Sequence, residues 1–164
     1  MTTARDSILE EAYAIHKSLE ELLDGMDYCL DWKAEDTDWS AREVLFHILE
    51  VPEGGIGAAI GEVIDGELLQ LTIIDGETNL TPEREALDLE AIIELIQAYF
   101  TRLEEVLANT TDQQLEQLTT QCYLPSLNRY EDRTPRKLLE ELLVRHWTEH
   151  LGQLSDLRSN LGLS

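Results

Sequence analysis

With 164 residues, 43% of them hydrophobic, the chain can bury roughly two-thirds of its unfolded surface, which argues against a disordered chain and against dependence on disulfide staples. Twelve Lys and Arg stand against 34 Asp and Glu, and the formal charge of −22 repels phosphate backbones and anionic lipid alike. Nucleic acid and membranes are therefore not expected as partners, and one domain over residues 1–164 is expected from the length.

Taken in chain order, the apolar spacing is helical almost throughout. Ile8, Ala12, Ile15, Leu19, Leu22 and Leu23 recur at three- and four-residue steps and predict a helix over about 4–24 that Gly25 can terminate. The polar run Asp31 to Asp38 reads as a loop. Ser40-Ala41-Arg42-Glu43 is a capping box with Trp39 placed to staple the entry, and Val44, His47, Ile48 and Val51 then share one helical face. Pro52 and the glycines at 54, 55, 57 and 61 weaken that helix, which can resume over Ala58 to Ile64. The apolar run Leu68 to Ile74 lies between Asp65-Gly66 and Asp75-Gly76 turns. With no strand in view to pair with, it is expected as a loop or helical piece.

Thr81-Pro82 opens the next region, and from Asp88 the series Leu89, Ile92, Ile93, Ile96, Phe100, Leu103 and Leu107 predicts a long helix to about Asn109. Residues 110–133 are polar and turn-rich. Thr134-Pro135 starts the last helix, which carries Leu138, Leu139, Leu142, Leu143, His146, His150, Leu154 and Leu157. Four amphipathic helices, long connections and no convincing sheet predict an all-α four-helix bundle.

Three of the four histidines, His47, His146 and His150, fall on apolar stripes, and His146 and His150 are one turn apart, as two ligands of one metal require. On spacing alone they are either hydrogen-bonded core residues or metal ligands. His16, without a histidine companion, is set aside. The string His146-Trp147-Thr148-Glu149-His150 fits a peptidase pattern, but only 14 residues follow it; a di-iron centre fails because positions 143, 147 and 44 are Leu, Trp and Val. Gly55-Ile56-Gly57-Ala58-Ala59-Ile60-Gly61 lacks the spacing of a phosphate loop and instead suits close helix approach, within the bundle or across a dimer seam. Cys29 and Cys122 have neither zinc spacing nor disulfide density. Two reduced thiols, with no span of ~18 apolar residues and no signal-peptide build in the first six residues, lead to an expected cytoplasmic location.

Trp39-Ser40-x-x-Glu43-Val44-Leu45-x-His47 and Leu143-x-x-His146-x-x-x-His150-Leu151-Gly152-Gln153-Leu154 resemble the second and last helices of the DinB/YfiT-like superfamily, in the same order and over a similar chain length. The resemblance implies a four-helix bundle with a divalent metal (zinc, nickel or another ion) on His47, His146 and His150, often in a homodimer. It also implies a small-molecule substrate and thiol-dependent transfer or isomerisation with bacillithiol, mycothiol or glutathione, or else a non-catalytic metal- or ligand-binding role in stress response. Arg129, Arg133 and Arg145 are the candidates for holding an anionic thiol, although they form no evident basic cluster. Trp39, Tyr99, Tyr123 and Trp147 are the expected pocket lining.

Overall fold

A computed structural model describes residues 3–163. Helix α1 (Ala4–Leu23) starts where the hydroxyl of Thr3 accepts a hydrogen bond from the Asp6 amide, and it buries the predicted stripe Ile8, Ala12, Ile15, Leu19 and Leu23. Helix α2 (Ala41–Leu49) carries the expected capping box: the Ser40 hydroxyl accepts from the Glu43 amide at 3.2 Å and the Glu43 carboxylate accepts from the Ser40 amide at 3.1 Å. Eight of its nine residues are buried, so α2 lies in the middle of the protein rather than on its surface.

After Leu49 the chain breaks out of the helix through Gly54 and Gly55, both at positive φ, and re-enters it as α3 (Ile56–Ile64). Two short elements and a long helix follow: β1 (Gln70–Thr72), α4 (Pro82–Glu85) and α5 (Leu89–Ala108), the last capped by Asp88. Helix α6 (Asp112–Gln117) precedes the hairpin β2 (Thr120–Leu124) and β3 (Arg129–Arg133). The final rod consists of α7 (Pro135–Leu139), a π-helical stretch over Glu140–Arg145, and α8 (His146–Asn160). Its start is the predicted one, with the Thr134 hydroxyl accepting from the Lys137 amide and Pro135 in the first turn.

The long helices α1, α2, α5 and the final rod form the bundle, closed over one core that includes Leu19, Phe46, Ile60, Ile96, Leu103 and Trp147. The purely all-α expectation does not hold, because a three-stranded sheet of order β1-β2-β3 lies beside the helices. Strand β1 runs parallel to β2, with Leu71 opposite Cys122, and β2 pairs antiparallel with β3, with Cys122 opposite Glu131. The segment 68–74 had no visible partner in sequence because its partner arrives only after α4, α5 and α6 have crossed back. Its inward residues are few: Leu71 on β1, and Thr120, Cys122 and Leu124 on β2.

A buried arginine fastens α2 to the rest. Arg42 pairs with the Asp31 carboxylate at 2.7 Å and donates to the carbonyls of Arg84 and Leu87, tying the start of α2 to the preceding loop and to the α4–α5 connection. Among the described residues no helix is long and apolar enough to cross a membrane.

The glycine-rich stretch acts inside the chain. A Cβ at Gly57 would lie 3.1 Å from the Leu103 amide nitrogen and 3.2 Å from its Cα, so α3 and α5 meet backbone to backbone at that point. At Gly61 the nearest atom is a Val106 methyl at 3.6 Å, an ordinary contact. Gly57→Val is expected to lower unfolding free energy by about 1–3 kcal/mol through forced separation of the helices, whereas Gly61→Ala leaves it unchanged or slightly raised. Urea unfolding of the two variants beside the parent checks this.

Candidate metal centre

His47 sits in the last turn of α2 and is only 3% exposed. His146 and His150 occupy the first two turns of α8, directly after the π-helical stretch, where the His146 amide bonds back to the Glu141 carbonyl, five residues away. The three rings converge. Nε2 of His146 lies 2.9 Å from Nε2 of His47 and 3.2 Å from Nε2 of His150. Ring centroids are 4.7–4.8 Å apart and the planes cross at 67–86°, so the rings present their edges to one shared point.

The outer nitrogens explain what meets there. Nδ1 of His47 is 2.7 Å from the Glu77 carbonyl oxygen, which can only accept, so this nitrogen carries the proton and Nε2 is left as a bare lone pair. Nδ1 of His150 is likewise 2.7 Å from Oε1 of Gln153. Nδ1 of His146 is buried beside the Leu142 carbonyl but makes no well-formed hydrogen bond. Three lone pairs at this spacing repel one another unless a cation lies between them. Ligand nitrogens around a tetrahedral ion with bonds of about 2.0–2.1 Å stand roughly 3.3 Å apart, close to the observed separations. The donor set therefore fits a divalent metal, and a bonded partner behind two of the rings is the support such ligands commonly have.

Burial keeps these imidazoles neutral, as a ligand must be. Desolvation, reinforced by His150 and His47, pushes the His146 pKa down to about 3. Desolvation lowers His47 as well, outweighing the Glu77 carbonyl that favours its charged form.

A cavity of about 440 Å³ adjoins His150, and its walls include Trp39, Asp38, Gln153, Asp156, Leu157 and Asn160. The Trp39 indole lies 4.9 Å from the His47 ring and nearly parallel to the His150 ring at 6.3 Å, closing one side. Of the four expected lining residues only Trp39 borders this cavity. Tyr99 and Trp147 pack together in the core, rings 4.6 Å apart, and Tyr123 stacks on Tyr130 across the hairpin. Nor do the three arginines line it: Arg129 pairs with Glu131, Arg133 pairs with Glu131 and Glu141, and Arg145 is exposed. His16 stands apart, stacked on Phe100 and bonded to Glu20 at 3.0 Å. Cys29 and Cys122 are free thiols whose pKa values burial raises.

Sequence reasoning missed two supports of the site. Glu77 acts through its carbonyl, which leaves no mark in residue type. Gln153 does leave a mark, lying three residues after His150 and so on the same helical face.

A bundle with inward histidines from its second and last long helices is the architecture of one family. The DinB superfamily profile matches residues 6–154, and the chain belongs to that superfamily. YfiT from Bacillus subtilis, described as a probable metal-dependent hydrolase with an unusual four-helix bundle topology, has the same fold: TM-score 0.74, 21% identity, covering 98% of this chain and 89% of YfiT. An uncharacterised protein from Escherichia coli UTI89 aligns with TM-score 0.66 and 15% identity over 100% of this chain and 97% of its own. No curated protein matches the sequence.

The depressed imidazole pKa values set a direction for acid stability. Below the ordinary value of 6.5 the unfolded chain gains protons at His47 and His146 that the folded chain refuses, at His146 until pH falls to about 3. Metal-free protein is therefore expected to lose stability as pH drops from about 7 to about 5, and His146→Gln to lose less over the same interval. Denaturant titrations of both proteins at the two pH values measure the difference.

Proposed function

We propose that this chain holds one divalent cation, zinc or nickel, on Nε2 of His47, His146 and His150, and works as a metal-dependent enzyme on small molecules that enter the cavity beside His150. The observation that carries this reading is the convergence of three Nε2 atoms at 2.9–3.2 Å while Nδ1 of both His47 and His150 is committed to an acceptor behind it. A divalent ion bound by three imidazoles has coordination positions left over, where it can lower the pKa of a water or ionise a thiol.

The chain's own groups do the rest. The Glu77 carbonyl and the Gln153 amide oxygen fix the orientation of His47 and His150, so that little rearrangement is needed on binding. Burial of His47 and His146 keeps their lone pairs available at neutral pH. Trp39 covers the rings and limits access by bulk water to the cavity side.

Hydrolysis is the reaction class we favour. It agrees with the description of YfiT, and the lining of the cavity supports it. Thiol-dependent transfer, the other activity the family resemblance implies, would bring a carboxylate-bearing cofactor such as glutathione or bacillithiol. The cavity meets it with Asp38 and Asp156 and no lysine or arginine. A purely metal-storing role leaves that cavity without a use.

Elemental analysis of the protein after zinc loading and dialysis is expected to find about one ion per chain, with a Kd low enough that a hundredfold free excess stabilises folding by about 2.7 kcal/mol. His146→Ala should retain less than roughly a tenth of the metal and show none of the stabilisation, and hydrolysis of neutral ester or amide substrates should disappear with it. Parent protein that emerges without metal, with an unchanged unfolding midpoint, refutes the reading.

A further inference from the structure

We propose that the cavity beside His150 selects organic cations: small molecules whose amine or ammonium group settles against Asp38 and Asp156 while the remainder reaches toward the histidines. The inference rests on the preceding reading only in taking this cavity as the open side of the metal centre.

Four observations converge on it. The cavity carries two carboxylates and no basic side chain: Asp38 comes from the loop before α2, and Asp156 from the stripe of α8 that also presents His150, Gln153 and Asn160. Both acids are exposed. The nearest ammonium, Lys33, is bonded to Glu43 at 2.8 Å, and Arg158, which follows Leu157, is turned to the carbonyls of Leu22 and Asp24. Two like charges sharing one depression raise its energy, and a bound cation relieves this.

The second observation is the wall between them. The Trp39 indole, with Leu157 and Ala34, gives an apolar surface. An alkylammonium presents a charge wrapped in hydrocarbon and is attracted to an aromatic wall as well as to carboxylates, whereas an inorganic cation would keep its water. Third, a volume of about 440 Å³ is of small-molecule size, too small for a folded partner. Fourth, the chain's net charge of −22 gathers cations around the protein and speeds their arrival.

Choline and its neutral carbon isostere, 3,3-dimethylbutan-1-ol, test this directly in calorimetric titrations of the zinc-loaded full chain. The quaternary nitrogen has no lone pair, so its binding does not report ligation of the metal. Choline is expected to bind about tenfold more tightly than the alcohol, a preference that falls as sodium chloride is raised. Asp156→Asn and Asp38→Asn should each reduce choline affinity several-fold and leave the alcohol unaffected. Both positions are exposed, and thermal melts of the variants verify folding.

Equal affinity for the two ligands, no binding of either, or a choline preference untouched in both variants would overturn the proposal. Failure here is separable from failure of the metal reading. Zinc uptake without any choline preference sinks only the present inference; a chain that takes up no zinc sinks the other, and the same titrations on it still decide this one.

Discussion

Three imidazole nitrogens, each with its lone pair turned toward the other two, cannot stay within about 3 Å of one another in an empty protein interior without cost. The structure holds them there by fixing the far side of two rings and burying the third. That arrangement sets the demands on the fold. His47 must lie deep, so nearly the whole of α2 is buried, and its first turn is held by the Ser40 capping box and by Arg42, whose guanidinium reaches Asp31 on one side and two backbone carbonyls on the other. The acceptor behind His47 must be placed as well. This is what the small sheet accomplishes: the Ile73 amide bonds to the Tyr123 carbonyl at 2.9 Å, extending the β1–β2 pairing and steadying the segment that delivers Glu77 to α2.

The helical frame was legible because its signals are local. Ser40 with Glu43, Asp88, and Thr134 with Pro135 mark helix starts that the structure reproduces, and the apolar periodicity of 4–24 and 88–109 needs no knowledge of anything distant. The histidines were legible for the same reason, since His146 and His150 share a helical face and His47 falls on an apolar one. What escaped depends on contacts between remote parts of the chain. Leu71 reads as loop until Cys122 is beside it, a backbone carbonyl at Glu77 has no compositional signature, and nothing in the letters sends Trp147 into the core while its neighbour His146 faces the other rings. Gly57 falls between these cases. Its small size pointed to a close approach, and only the coordinates show that the approaching partner is Leu103 of the same chain rather than a second copy.

Charge is distributed unevenly in a way the net value conceals. Several arginines are engaged in holding elements together: Arg42 at the start of α2, Arg84 between Glu50 and the Asn79 carbonyl, Arg133 between Glu131 and Glu141, Arg136 between Glu116 and Glu140. The scarce basic residues thus serve the scaffold, and the acidic excess is left to the surface and to the depression beside His150. A chain with more balanced composition could have spared a cation for that depression. This one has none among the residues that line it.

The wide turn over Glu140–Arg145 has a consequence for how such a rod can vary. A π-helical stretch accommodates more residues per turn than the α-helix around it, and so changes the angular phase of everything downstream. Loss of one residue there would let the backbone relax to ordinary α-helix without breaking the rod, but it would swing the following residues about the axis by roughly 100°. His146 and His150 would keep their spacing to each other and lose their alignment with His47. The stretch therefore works as a fixed angular offset between the half of the rod that packs in the core and the half that carries the imidazoles, and a length change of one residue within it is far more damaging than a substitution.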